Sequence, residues 1–138
     1  MGKKVVLDTN VFVSALGWKG ASRNIFNNCI DGDLELFISA EIFDEIKRVL
    51  NYPKFKFSQD EISEFLDQIL EVGNFVETKV KVEIIKDDPS DNKFLECAAT
   101  VNADCVISRD PHILKIKTFE GIKLMSPEDF TKADYGGR

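Results

Sequence analysis

The sequence predicts an α/β domain of three layers, α/β/α, with a mainly parallel central sheet of four to five strands. Short apolar runs of strand length recur at Lys4–Leu7, Leu34–Ile38, Asp104–Ser108 and Ile122–Met125, each bounded by polar or turn residues. Between them lie stretches with apolar residues at helical spacing, clearest in Ile42, Phe43, Ile46, Val49 and Leu50. Strands that alternate with helices imply right-handed crossovers and parallel pairing, with helices on both faces.

In chain order, Val5-Val6-Leu7 suits a strand buried on both faces, and it runs directly into Asp8-Thr9-Asn10. Val11–Leu16 predicts a short helix stopped by Gly17, with Trp18-Lys19-Gly20 as a loop. Ser22 then reads as the N-cap of a helix carrying Ile25, Phe26, Cys29 and Ile30 and ending at Gly32. After the second strand, the helix Ala40–Leu50 is broken at Tyr52-Pro53. Ser58 with Glu61 has capping-box spacing for a helix whose face is Ile62, Phe65, Leu66, Ile69 and Leu70, ending at Gly73. Phe75-Val76 and the alternating Val80, Val82 and Ile84 predict one or two strand pieces. Asp87–Asn92 turns into a helix bearing Phe94, Leu95, Ala98, Ala99 and Val101, before the strand at Cys105. Ile113, Leu114 and Ile116 predict a helical turn, Ile122–Met125 a last strand and Ser126-Pro127-Glu128 a capped terminal turn.

A chain of 138 residues suits one domain over 1–138, with 1–132 ordered and 133–138 expected to fray. No apolar run reaches membrane-spanning length and no signal peptide opens the chain, which points to a cytoplasmic protein without a membrane partner. Cys29, Cys97 and Cys105 are odd in number and lack C-x-x-C spacing, so neither a disulfide framework nor a zinc site is indicated. His112 is the only histidine, which excludes a histidine pair for a metal. A net charge of −6 is the wrong sign for a broad nucleic-acid-binding face. Phosphate binding would need another source of positive charge, and surplus carboxylates are what hard cations require.

In a parallel sheet, strand ends and the starts of the following helices share one rim. Asp8 follows the first strand, Asp91 opens the helix before the strand at Cys105, and Asp110 lies just past that strand. On the helix Ala40–Leu50, Glu45 lies roughly 100° from the centre of the apolar stripe, against about 140° for Glu41 and about 160° for Asp44, so Glu45 is the acid nearest the core edge. Each acid has a plainer role open to it: Asp8 and Asp91 as helix caps, Asp110 as the start of an Asp-Pro turn. Taken together they suggest a site for one or two Mg²⁺ or Mn²⁺ ions, able to orient water and neutralise a phosphodiester. A phospho-receiver would want an acidic pair after the first strand, and a sugar-phosphate phosphatase a second acid where Asn10 stands.

Val6–Asn10, Ser39 through Glu45 to Leu50 with Tyr52-Pro53, Asp88–Asn92 with Leu95–Ala98, and Ser108-Arg109-Asp110 together resemble a PIN domain. The branch most similar is the small prokaryotic VapC-like proteins, toxin components of toxin–antitoxin pairs, whose closing region resembles Ile122–Phe130. The resemblance implies a PIN-like fold and a Mg²⁺- or Mn²⁺-dependent endoribonuclease that cuts single-stranded or looped RNA. By it, Asp8, Glu45, Asp91 and Asp110 match the catalytic and metal-binding acids, Asn10 and Ser108 match small polar supports, and Asp88 is an extra acid one layer out. It also implies a homodimer and an antitoxin partner. A catalytically silent PIN-like module that binds RNA or a partner protein is the alternative. Among scattered cations Lys19, Arg23, Lys47, Arg48, Lys54, Lys56 and Arg109, only Arg109 adjoins the acids, where an RNA phosphate contact and a local ion pair are both open. Trp18 is open to packing, base stacking or a dimer contact.

Overall fold

The computed structural model describes residues 2–133. Unbroken apolar sequence makes β1 (Lys3–Leu7) the central strand, and Val5, Val6 and Leu7 are buried on both of its faces. The chain continues through α1 (Thr9–Gly17), α2 (Ala21–Asp31), β2 (Leu34–Ile38), α3 (Ala40–Leu50), a 3-10 turn at Pro53–Phe55, α4 (Gln59–Val72) and β3 (Asn74–Phe75). A second 3-10 turn at Pro89–Asp91 leads into α5 (Asn92–Val101), β4 (Cys105–Ile107), α6 (Pro111–Leu114), β5 (Thr118–Phe119), β6 (Ile122–Met125) and α7 (Pro127–Lys132). The six strands lie in the order β3-β2-β1-β4-β6-β5, and only the β5–β6 pair is antiparallel. The predicted α/β class with a mainly parallel sheet is observed; the piece predicted at Phe75-Val76 is the edge strand β3, and β5 is added at the other edge.

Register decides what the rim displays. Leu7 lies opposite Ile107, so the next residues, Asp8 and Ser108, leave the sheet side by side. The ladder continues into them: the Asp8 amide donates to the Ile107 carbonyl at 2.9 Å, and the Ser108 amide to Met125 at 2.9 Å. At the carboxyl ends of β1, β2 and β6 the chain turns at once into a helix capped by Asp8, Ser39 and Ser126; past β4 the cap is Asp110. The rim therefore gathers four helix N-termini, whose exposed amides favour negative charge.

Three expectations are corrected. Ser22 lies inside α2 and is buried; Gly20, at φ 151°, occupies the cap position instead. The strand pieces around 80–84 do not form. Val82 and Ile85 are buried while Val80 and Ile84 are exposed, a spacing that no strand produces. That segment is instead pinned by α5 side chains: Glu96 accepts from the Val82 amide at 3.0 Å, and Asn92 bonds both the amide and the carbonyl of Ile85 at 2.9 and 3.0 Å. The third is length: the first helix begins at Thr9, two residues early, because Asp8 caps it. Of the tail expected to fray, residues 134–138 lie outside the described residues.

Candidate active site at the carboxyl rim

Asp8 is 4% exposed and is fixed from two directions. Its Oδ1 accepts from the Asn10 amide at 3.2 Å, which is the capping bond of α1, and its Oδ2 accepts from the Ser108 hydroxyl at 2.5 Å. Cap and candidate ligand are thus the same residue. Burial raises the Asp8 carboxyl above its ordinary range; the Ser108 and Asn10 bonds oppose the rise, while the charges of Asp110 and Glu45 add to it. Ser108, fully buried, also accepts from the Asp110 amide at 2.9 Å, so one hydroxyl ties Asp8 to the loop that carries Asp110. Asp110 caps α6 through the His112 amide at 2.9 Å.

Asp91 ends the 3-10 turn before α5 and makes no capping bond with its side chain. Burial first, then the charges of Asp88 and Asp8, push its carboxyl up to about 7, with Lys93 opposing and Asp110 adding. Asp88 itself caps the turn, accepting from both the amide and the hydroxyl of Ser90. Among the described residues, no lysine or arginine stands within ion-pair distance of Asp8, Asp91 or Asp110.

Glu45 differs. As the helical wheel requires, its side chain is 18% exposed while that of Asp44 is 71% exposed. Its Oε1 meets Lys93 Nζ at 2.6 Å and lies 3.9 Å from Arg48, and its Oε2 accepts from the Thr9 hydroxyl. Lys93 is nearly buried, donates also to the Ser90 carbonyl at 3.0 Å and lies 5.0 Å from the centre of the Phe94 ring. It is absent from the sequence-based set because a lysine at a helix start reads as a solvated cation. The one signal is its place between the buried Asn92 and Phe94.

The four acids thus come close enough for Asp8 and Asp91 to feel the others' charge, yet among the described residues no three of them form a cluster ready to grip an ion. Asn10 contributes its amide, and its side chain is exposed. Of the two roles open to Arg109, a local ion pair is present: its guanidinium binds Glu128 at 2.9 and 3.2 Å and the Ser22 hydroxyl at 3.1 and 3.2 Å, stitching α7 to α2. A cleft of about 470 Å³ borders Ser90 and Lys93 and is lined by none of the four acids.

The donor set suits a hard cation. It consists of carboxylate oxygens, two of them on groups whose ionisation burial opposes, with a buried hydroxyl in support. A comparison with curated proteins finds no match. The described helices include none long and apolar enough to cross a membrane. A family model described as PIN domain matches residues 4–112, from the first residues of β1 to α6, and so takes in all four acids. The chain therefore belongs to the PIN domain family, whose members are generally nucleases and generally use divalent metals.

Proposed function

We propose that the protein is a Mg²⁺- or Mn²⁺-dependent endoribonuclease that hydrolyses phosphodiester bonds of single-stranded or looped RNA. The observation that carries this reading is the gathering of Asp8, Asp91 and Asp110 at one rim, with no lysine or arginine of the described residues within ion-pair distance, in a fold whose relatives are generally nucleases. In this reading those three residues hold the ion. When bound, the ion lowers the pKa of a water and neutralises charge on the phosphodiester. Ser108 fixes the rotamer of Asp8 and the start of the Asp110 loop, so two ligands move as one. Glu45, already engaged by Lys93 and Thr9, is assigned to orienting the attacking water instead of gripping the metal.

One observation favours a silent module that binds without cutting: Lys93 occupies Glu45. Cleavage of a mixed single-stranded RNA pool with Mn²⁺, Mg²⁺ or chelator, beside Asp8→Asn and Asp91→Asn, separates the two. Metal-dependent cutting lost in both variants supports hydrolysis; no cutting with any metal supports the binding module. A role as the toxin of a toxin–antitoxin pair and a homodimeric state follow from the VapC-like resemblance alone. Growth arrest on induction, lost in Asp8→Asn, and light scattering test them.

A further inference from the structure

The chain carries its positive charge unevenly. From Ile46 to Gln59 there are four cations, Lys47, Arg48, Lys54 and Lys56, and no acid, in a protein whose net charge is −6. The same stretch carries three aromatic residues, and they line up. Tyr52 stacks on Phe55 with ring centres 6.5 Å apart and planes 4° apart, and Phe55 on Phe57 at 5.7 Å and 17°. Trp18 closes the row edge-on to Phe57 at 6.4 Å.

Two backbone features hold the row. Lys56 sits in the left-handed region at φ 57°, which lets residues on either side of it turn their rings to the same face. Gly17 ends α1 where a Cβ would come within 3.1 Å of the Phe57 ring, so its bare backbone admits that ring beside the Trp18 loop. The inner rings Phe55 and Phe57 are half-buried supports, while Trp18 at 57% and Tyr52 at 40% remain exposed. Cations flank them: Lys54 Nζ lies 5.2 Å from the Phe55 centroid, and Lys19 follows Trp18 in the exposed loop. The row also leads toward the rim, because Arg48, one helical turn before Tyr52, lies 3.9 Å from Glu45.

We infer that this strip, Arg48-Tyr52-Phe55-Phe57-Trp18 with Lys19, Lys54 and Lys56, is a track for single-stranded RNA that leads a strand to the acidic rim. Exposed rings beside cations are what an unpaired strand needs: every base has a face to stack on, and the phosphates meet the lysines. A duplex, with its bases stacked internally, gains only the phosphate contacts. The acidic remainder of the surface repels the backbone, so local charge complementarity selects this face. The inference deepens the ribonuclease reading by naming where the substrate strand lies.

Trp18 is the only tryptophan, so its fluorescence reports the strip directly. The test titrates wild type, Tyr52→Ala and the double variant Lys54→Gln/Lys56→Gln with a fluorescein-labelled single-stranded RNA 12-mer in chelator at low salt, following anisotropy. Tryptophan quenching is followed with unlabelled 12-mer and with a duplex of equal length. Circular dichroism checks that each variant is folded. Expected are quenching by the single strand beyond that by duplex, a roughly tenfold or greater loss of affinity in Tyr52→Ala, in line with the stacking of one base, and a salt slope reduced by about 1.4 in the lysine variant. Absence of quenching, equal affinity for duplex, or unchanged affinity in both folded variants would overturn the assignment. So would conversion of a dimer to a monomer by the variants with RNA affinity kept, which would make the strip a contact between copies. Because binding is read in chelator, it is tested separately from cleavage: a protein that binds as described but cuts nothing with any metal retains the track and loses the nuclease.

Discussion

Replacing Asp91 with asparagine should stabilise the metal-free protein, and the gain should depend on pH in a defined sense. The folded carboxyl is raised from the ordinary 3.8 to about 7, first by burial and then by Asp88 and Asp8. Between about pH 4 and 7 the folded chain therefore keeps a proton that the unfolded chain has lost, so stability falls as pH rises through that window and the whole penalty is present above it. At about 1.4 kcal/mol per pH unit the ceiling is about 4 kcal/mol. Asp91 is only half-buried, and solvent screening reduces this to about 1–2 kcal/mol. The asparagine side chain carries no charge to desolvate, so thermal unfolding in chelator at pH 8 should show the variant melting about 3–8 °C above wild type. At pH 5.5, still above the sequence pI of 4.8, the gap should shrink to roughly half. Saturating Mn²⁺ should invert the order, since ion at 100 times its dissociation constant adds about 2.7 kcal/mol to a protein that binds it and little to one that has lost a ligand. A variant that melts below wild type at pH 8 in chelator, or a gap that does not narrow at pH 5.5, refutes the claim that this rim holds uncompensated charge.

Ser108→Ala should lower stability by about 1–3 kcal/mol, because a buried carboxylate oxygen and a half-buried amide lose their shared partner, and should weaken Mn²⁺ binding roughly 10–100-fold by calorimetry; unchanged metal affinity would mean that the hydroxyl is structural only. Lys93→Met should cost about 2–4 kcal/mol in urea unfolding, since it strands Glu45, and the double variant with Glu45→Gln should recover much of the loss. A coupling energy below about 0.5 kcal/mol in that cycle counts against a paired Glu45. Arg109→Ala should cost about 0.5–1 kcal/mol through Glu128 and Ser22 and leave RNA affinity unchanged; a large loss of affinity would restore it as a phosphate contact.

What was legible in the sequence follows from how local each determinant is. Asp8 and Glu45 could be placed because strand burial and helical phase are set by a handful of consecutive residues, and both residues sit where those phases put them. Ser108 could be placed beside Asp8 only once the register Leu7 opposite Ile107 was known, which no single stretch encodes. Residues 76–86 misled because Val80, Val82 and Ile84 alternate like a strand, whereas the backbone partners there are side chains of α5, Glu96 and Asn92, supplied ten or so residues away. The same helix hides Lys93. Its type predicts solvent, and only its contact with an acid on α3 makes it an interior charge.

That interior charge bears on how many ions the proposed site takes. Four carboxylates and one ammonium share the rim, and the ammonium is fixed on Glu45 by a 2.6 Å contact and a second bond to the Ser90 carbonyl. Among the described residues the other three acids stand outside ion-pair distance of any lysine or arginine, and two of them are raised, first by burial and then by the charge of their neighbours. A single divalent ion leaves that set with one negative charge, close to neutral; a second would overshoot unless an RNA phosphate came with it. Calorimetric titration of the free protein should therefore give one tight Mn²⁺ per chain, with a second site appearing only in the presence of an uncleavable single-stranded oligonucleotide. Two ions bound tightly and equally without nucleic acid would show that Lys93 leaves Glu45 in order to admit the second, and the division of labour between three gripping acids and one orienting acid would have to be abandoned.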